Sequence, residues 1–361
     1  MLNWKMGPMP GPIPAWNPSN MTCPVVHQPA EWAPHSACWL AWPSHEHLWQ
    51  ENLALAQAEF AALCLAIAEG GGEALDLLVQ DDAAEAEARS ALAPVLAQVR
   101  FHRVPVGDIW LRDTAPIFVK SMSGALRAAC FRFNGWGGKY VLPDDDQVAN
   151  RVAALSGMLR LDHGWILEGG SVEGDGEGTL LTTSQCLLNP NRNPGMDQTQ
   201  IESALREGLG AEKVLWLDEG LINDHTDGHI DTLARFVAPG VVVCMEARDP
   251  GDPNAPVLDR LAADLAAMTD ARGRQLRVLR IPSPGVLENE DGELMPASFV
   301  NFYIGNRSVV VPTYGTPFDE AAVTALTPLF PGRRVVGRSA RAILSGGGAF
   351  HCITQQQPEV L

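Results

Sequence analysis

From about residue 30 onward the chain is a succession of short β-rich runs separated by single helical stretches, with no low-complexity linker to divide it. The runs fall at 37–42, 75–79, 116–119, 128–133, 179–188, 213–217, 236–245, 275–281, 300–312 and 333–337. Between them apolar residues recur at the 3.6 period of a helix: Leu53, Phe60, Leu63 and Ile67, then Leu258, Leu261, Leu265 and Met268. A further helix is predicted to start at Asp319, acting as its cap, and to carry Val323, Leu326 and Phe330. This alternation fits a doubly wound parallel sheet or a radial array of small mixed α/β modules. The radial array is favoured, because residues suited to chemistry lie at the start, middle and end of the chain. A closed ring around one axis lets them meet. Along the sequence itself no similarity between modules is visible.

Length permits two or three domains, yet pseudo-repeat folds of 361 residues also occur as one unit. The segment 1–25, with Pro8, Pro10, Pro12, Pro14 and Pro18, reads as a disordered or loosely attached lead without the apolar stretch of a signal peptide. One catalytic domain is expected over 26–361. Against 26 basic residues stand 43 acidic ones, a net charge of −17. Such a surface repels nucleic acid and anionic membranes and favours small cations. No stretch approaches the length of a membrane-spanning helix. The seven cysteines, at 23, 38, 64, 130, 186, 244 and 352, include no CxxC pair, and Cys64 and Cys244 sit in apolar runs. Buried thiols in a reducing, cytoplasmic setting are the simplest reading.

Five segments carry candidate chemistry. Gly346-Gly347-Gly348 approaches His351-Cys352 and is expected to present the thiol in a tight, exposed turn, since nothing in packing calls for three glycines. Thr226-Asp227-Gly228-His229-Ile230-Asp231 places a histidine and a carboxylate two apart, on one face if the segment is a strand. In 108–116, Arg112 and Asp113 form either a structural ion pair or an anionic grip on a cation, with Trp110 as an apolar or cation–π wall. Glu168 is either a backbone acceptor or a substrate carboxylate, and Trp136 lies in a glycine-flanked turn. The Gly174–Gly178 segment opens onto a strand and is a hairpin turn, not a phosphate loop. Cysteine, histidine and two aspartates suit attack on a cationic, carbon-centred electrophile such as a guanidinium. A zinc site built on His225, His229 and Asp231 is the alternative.

Taken in order, Trp39–Pro43, Arg112-Asp113 with Pro116, Phe133–Tyr140, Glu168–Ser171, Gly176–Thr179 through Asn191–Pro194, Thr226–Asp231, Asn301–Tyr303 and His351–Pro358 resemble the agmatine deiminase family, with its bacterial peptidyl-arginine deiminase branch. The resemblance implies a five-fold α/β propeller, the pentein fold, built from ββαβ modules and working without metal or cofactor. It also implies hydrolysis of a small guanidine, with agmatine converted to N-carbamoylputrescine and ammonia in polyamine and putrescine metabolism. Arginine, peptidyl-arginine and other alkylguanidines are the alternatives. By motif position Cys352 is the nucleophile, His229 the acid/base, and Asp113 and Asp231 the guanidinium carboxylates. Trp110, Arg112, Trp136, Glu168, Asn301 and Gly348 are the expected substrate contacts. The implied partner is a cationic small molecule, not nucleic acid or membrane, and a homodimer or larger homo-oligomer fits the family. Ala349-Phe350 replaces the family's Asn-Ile, and the stretch 141–146 is short, so the substrate's far end is expected to be read differently.

Overall fold

The computed structural model describes residues 26–360, so the predicted lead over 1–25 lies outside it. Five small mixed sheets form, each on one plan: an antiparallel pair, a helix, then a strand parallel to the second. In the first, Ile117–Ser121 and Leu126–Arg132 pair, and Val148–Ser156 crosses to Leu159–Ile166. The second joins Glu173–Gly174, Thr179–Thr183, helix Gln198–Leu209 and Lys213–Leu217. The third takes Ala234–Ala238, Val241–Glu246, helix Ala255–Ala267 and Arg277–Pro282. The fourth uses Tyr303–Ile304, Ser308–Thr313, helix Asp319–Leu326 and Arg334–Ser339.

The fifth module is divided between the two ends of the chain. Gln355–Pro358 pairs antiparallel with His35–Ala41, and helix Leu53–Ala68 then leads to the parallel strand Ala74–Val79. Val99–Arg103 widens this sheet, and Val26–His27 adds an edge to the first. The result is the five-fold α/β ring expected. Parallel strands need a crossover connection, which accounts for one helix per module. Strands covered on both faces read as largely apolar runs; Leu75–Val79, interrupted only by Asp76, and Val309–Pro312 are buried throughout.

Several boundaries differ from the sequence reading. The run 179–188 is a strand only to Thr183, whose hydroxyl accepts the Cys186 N–H and starts a helical turn over Ser184–Leu187. The runs 236–245 and 300–312 each contain two strands; the first turns at Gly240, with φ +70°. Val99–Arg103 and Leu159–Ile166 escape notice because exposed Arg and Asp, together with histidines, interrupt their apolar residues. Asp319 opens its helix from the first turn rather than the cap, which is Phe318, and its carboxylate accepts the Gly315 N–H at 2.8 Å. One helical stretch, Glu46–Ala68, does reach the length and composition of a membrane span, contrary to expectation. Its Phe60, Leu63, Cys64 and Ile67 are buried in the central core with Cys38 and Leu40.

Candidate active site

Each module contributes from the same place, the loop that ends within four residues of its first strand. Asp113 precedes Ile117, Gly170 precedes Glu173, Asp231 precedes Ala234, Asn301 precedes Tyr303 and Cys352 precedes Gln355. Asp113 sits in the helical turn Leu111–Thr114 and Gly170 in the turn Gly169–Ser171. His229 and Asp231 do not lie on a strand as predicted. Asp227 (φ +64°) and Gly228 (φ +85°) reverse the chain, and Ile230–Thr232 forms a 3-10 turn. Both side chains still reach the site.

Gly170 is the pivot of the cluster. A methyl group there would stand 2.6 Å from His229 Nδ1, 2.9 Å from Asp113 Oδ1 and 3.1 Å from Asp231 Oδ2. Its own N–H donates to Asp113 Oδ1 at 2.9 Å, while the Trp136 indole N–H donates to Oδ2 at 2.9 Å. His229 Nδ1 lies 3.8 Å from Asp113 Oδ1. Across the cluster, the Cys352 thiol is 3.6 Å from Asp231 Oδ2 and accepts from Asn301 Nδ2 at 3.2 Å. Asn301 Oδ1 in turn accepts the His351 N–H at 3.0 Å. Behind Asp231, His351 bridges it to Glu31 with contacts of 2.7 and 2.8 Å. The ring nitrogens of His229 and Asp231 Oδ1 have no hydrogen-bond partner among the described residues.

Charge follows from this packing. Burial opposes an imidazolium at His229, but Asp113, with Cys186 and Glu168 behind it, outweighs burial and raises its pKa to about 10. Burial, then Asp231 and Asp113, push the Cys352 thiol well above its ordinary value. Burial also raises Asp113, aided by Asp231 and Glu168. Asp231 is held low against its burial by the His351 hydrogen bond. In the free site the sulfur is therefore a thiol and His229 a cation.

A pocket of about 590 Å³ opens over Cys352 and Asp113. Trp110, Trp136, Tyr140 and Gly348 form walls, and Asp224, His225, Glu293 and Met295 stand among its other lining residues. Cys352 is only 7% exposed, so the thiol lies at a floor instead of projecting as predicted. Packing does call for the glycines: a Cβ at Gly346 would stand 2.8 Å from Trp49, and one at Gly348 2.7 Å from Trp110.

Arg112 is not a pocket residue. It donates to Gln356 Oε1 at 2.7 Å and to the His351 carbonyl at 3.3 Å, anchoring the segment that carries Cys352. Glu168 also stays behind the site, paired with fully buried Arg192 at 3.0 Å. Phe350 is fully buried and does not line the pocket, whereas Leu142 from the short 141–146 stretch does. The trio His225, His229 and Asp231 does not gather as a ligand set; the described donors that lie within 4.8 Å of one another are Glu168, Cys186 and His229. Sequence reading gave no role to Trp49, Asp108, Arg192 or His351, although Asp108 opens the 108–116 segment, Arg192 lies in Asn191–Pro194 and His351 stands beside Cys352.

The sequence model of the Porphyromonas-type peptidyl-arginine deiminases matches residues 27–358. Agmatine deiminase of Stutzerimonas stutzeri is 41% identical over 355 residues, covering 92% of this chain and 95% of the relative. That of Pseudomonas fluorescens is 38% identical with the same coverages. The solved agmatine deiminase of Enterococcus faecalis superposes with a TM-score of 0.87 at 31% identity, over 93% of this chain and 97% of that one. With the family model spanning nearly all described residues, the chain belongs to the Porphyromonas-type peptidyl-arginine deiminase family.

Proposed function

We propose that this chain is a guanidine deiminase that hydrolyses agmatine to N-carbamoylputrescine and ammonia. The observation that carries the reading is the convergence of Cys352, Asp231, Asp113 and His229 beneath one pocket. The agmatine deiminases that match over nine-tenths of the chain support this choice of substrate.

A guanidinium is resonance-stabilised and a poor electrophile. Asp113 and Asp231 take its N–H groups in paired, charge-assisted hydrogen bonds and hold its carbon over the sulfur. The same cation offsets the two carboxylates that keep Cys352 protonated, so substrate entry favours the thiolate, and the thiol proton leaves to solvent. Sulfur attacks the guanidinium carbon and forms a C–S bond. His229, already an imidazolium, gives its proton to the departing nitrogen, and the C–N bond breaks to release ammonia. The resulting amidino-thioether is attacked by water, whose proton passes to His229. Collapse breaks the C–S bond and leaves the ureido product, and the remaining hydroxyl proton of the added water passes to the sulfur, which returns to the thiol. Six cysteines of the described residues are buried free thiols, which suits a reducing cytoplasm.

The test is incubation of purified protein with agmatine, arginine and an arginine-containing peptide, with assays for ammonia and ureido product. Turnover of agmatine above the others is expected. Absence of turnover with every guanidine overturns the reading.

A further inference from the structure

The nucleophile's approach is threaded between two indoles, and one carboxylate holds both. Asp108 is 4% exposed, with Oδ1 accepting the Trp49 indole N–H at 3.0 Å and Oδ2 accepting that of Trp110 at 2.9 Å. The rings lie 6.2 Å apart between centroids, tilted by 26°. A side chain at Gly346 would collide with both, at 2.8 Å from Trp49 and 2.9 Å from Trp110. Gly348 has Trp110 at 2.7 Å on one side and Cys352 Cβ and Sγ at 3.0 and 3.1 Å on the other. Between them Gly347 adopts φ +109°. The glycine run is therefore shaped by ring edges, and those edges are oriented by one buried anion.

We infer that Asp108 is a positioning residue for the nucleophile: by fixing the Trp49 and Trp110 indoles as a rigid slot, it sets where Gly346–Gly348 deliver Cys352. The inference rests on Cys352 being the nucleophile of the proposed reaction. Asp108 and Trp49 do not line the pocket, so neither binds substrate directly. A hydrogen bond to a charged acceptor orients more firmly than one between neutral groups. Asparagine at 108 keeps the size but turns an N–H donor toward one of the two indole donors. Phenylalanine at 49 keeps an aromatic ring in the slot and deletes one of the two donors.

Asp108→Asn, Trp49→Phe and the double variant test this by kcat and KM with agmatine, iodoacetamide alkylation of Cys352 read at its own peptide, and thermal unfolding. Displacement of a reacting atom by a fraction of an ångström is expected to lower kcat on the order of tenfold or more in Asp108→Asn, with KM little changed. Trp49→Phe should show a smaller loss of the same kind, and the double variant should be no worse than Asp108→Asn, since both act on one slot. Alkylation of Cys352 should change in step with kcat. If Asp108→Asn does not fold, Trp49→Phe carries the test alone. Folded variants with wild-type kcat and alkylation, losses confined to KM, or losses that multiply in the double variant overturn the inference. A wild-type protein that hydrolyses no guanidine would refute the proposed function instead, and the alkylation rates would still decide whether the slot places the thiol.

Discussion

Cys352 sits between two carboxylates that discourage its ionisation, and this has a measurable signature. Removing one charge with Asp113→Asn should shift the onset of Cys352 alkylation to lower pH while lowering kcat/KM, because in the proposed reaction the same carboxylate grips the guanidinium. An unchanged alkylation profile would remove Asp113 from the sulfur's surroundings. Trp136→Phe deletes the N–H on Asp113 Oδ2 and is expected to cost about 1.5–3 kcal/mol of transition-state binding, read as kcat/KM. His229 is raised from 6.5 to about 10, so it stabilises the fold fully below about 6.5 and that contribution is lost as pH rises through about 10. Wild type should lose thermal stability on the alkaline side more steeply than His229→Gln. At this scale the sequence was informative where residue type names a role. Cysteine, histidine and aspartate have few alternatives; His229, Asp113 and Asp231 meet around Gly170, and Cys352 reaches Asp231. Arg112 and Glu168 misled because a buried charge looks the same in sequence whether it faces a ligand or a partner; here the partners are Gln356 and Arg192.

Short elements, not long ones, position the chemistry. Helical turns of three or four residues carry Asp113, Gly170 and Asp231, and such turns leave no periodic trace to read. The turn after His225 depends on Asp227 and Gly228 at positive φ, which breaks the strand that i, i+2 spacing implied. Arg192 secures this turn from outside the site. It donates to the Thr226 carbonyl at 2.8 Å, pairs with Glu168 and meets Asp227, all from a fully buried position. Arg192→Met leaves Glu168 buried without its cation, a loss of about 3–5 kcal/mol by chemical denaturation. Near-wild-type stability in that variant would show the pair to be dispensable. The long helices were legible from their 3.6 period, and the fully buried strands from their apolar runs. Half-exposed strands such as Leu159–Ile166 were not.

Across the whole molecule, the chain carries an excess of 17 negative charges, and the proposed substrate is a cation. For a doubly charged substrate, kcat/KM should fall as ionic strength rises and the field is screened, whereas kcat should hold steady. A salt-independent kcat/KM would confine recognition to the pocket. The ring itself was legible only indirectly, from the need to unite distant segments, because each module keeps its plan while its residues diverge. What the modules share is a position: the loop before the first strand, occupied in turn by Asp113, Gly170, Asp231, Asn301 and Cys352. The strand Gln355–Pro358 that joins the last module to His35–Ala41 begins three residues after the sulfur. During synthesis, then, the ribosome releases the two acids and the imidazole long before the thiol. A nascent polypeptide has no assembled centre, and the step that locks its two ends together is also the step that arms it.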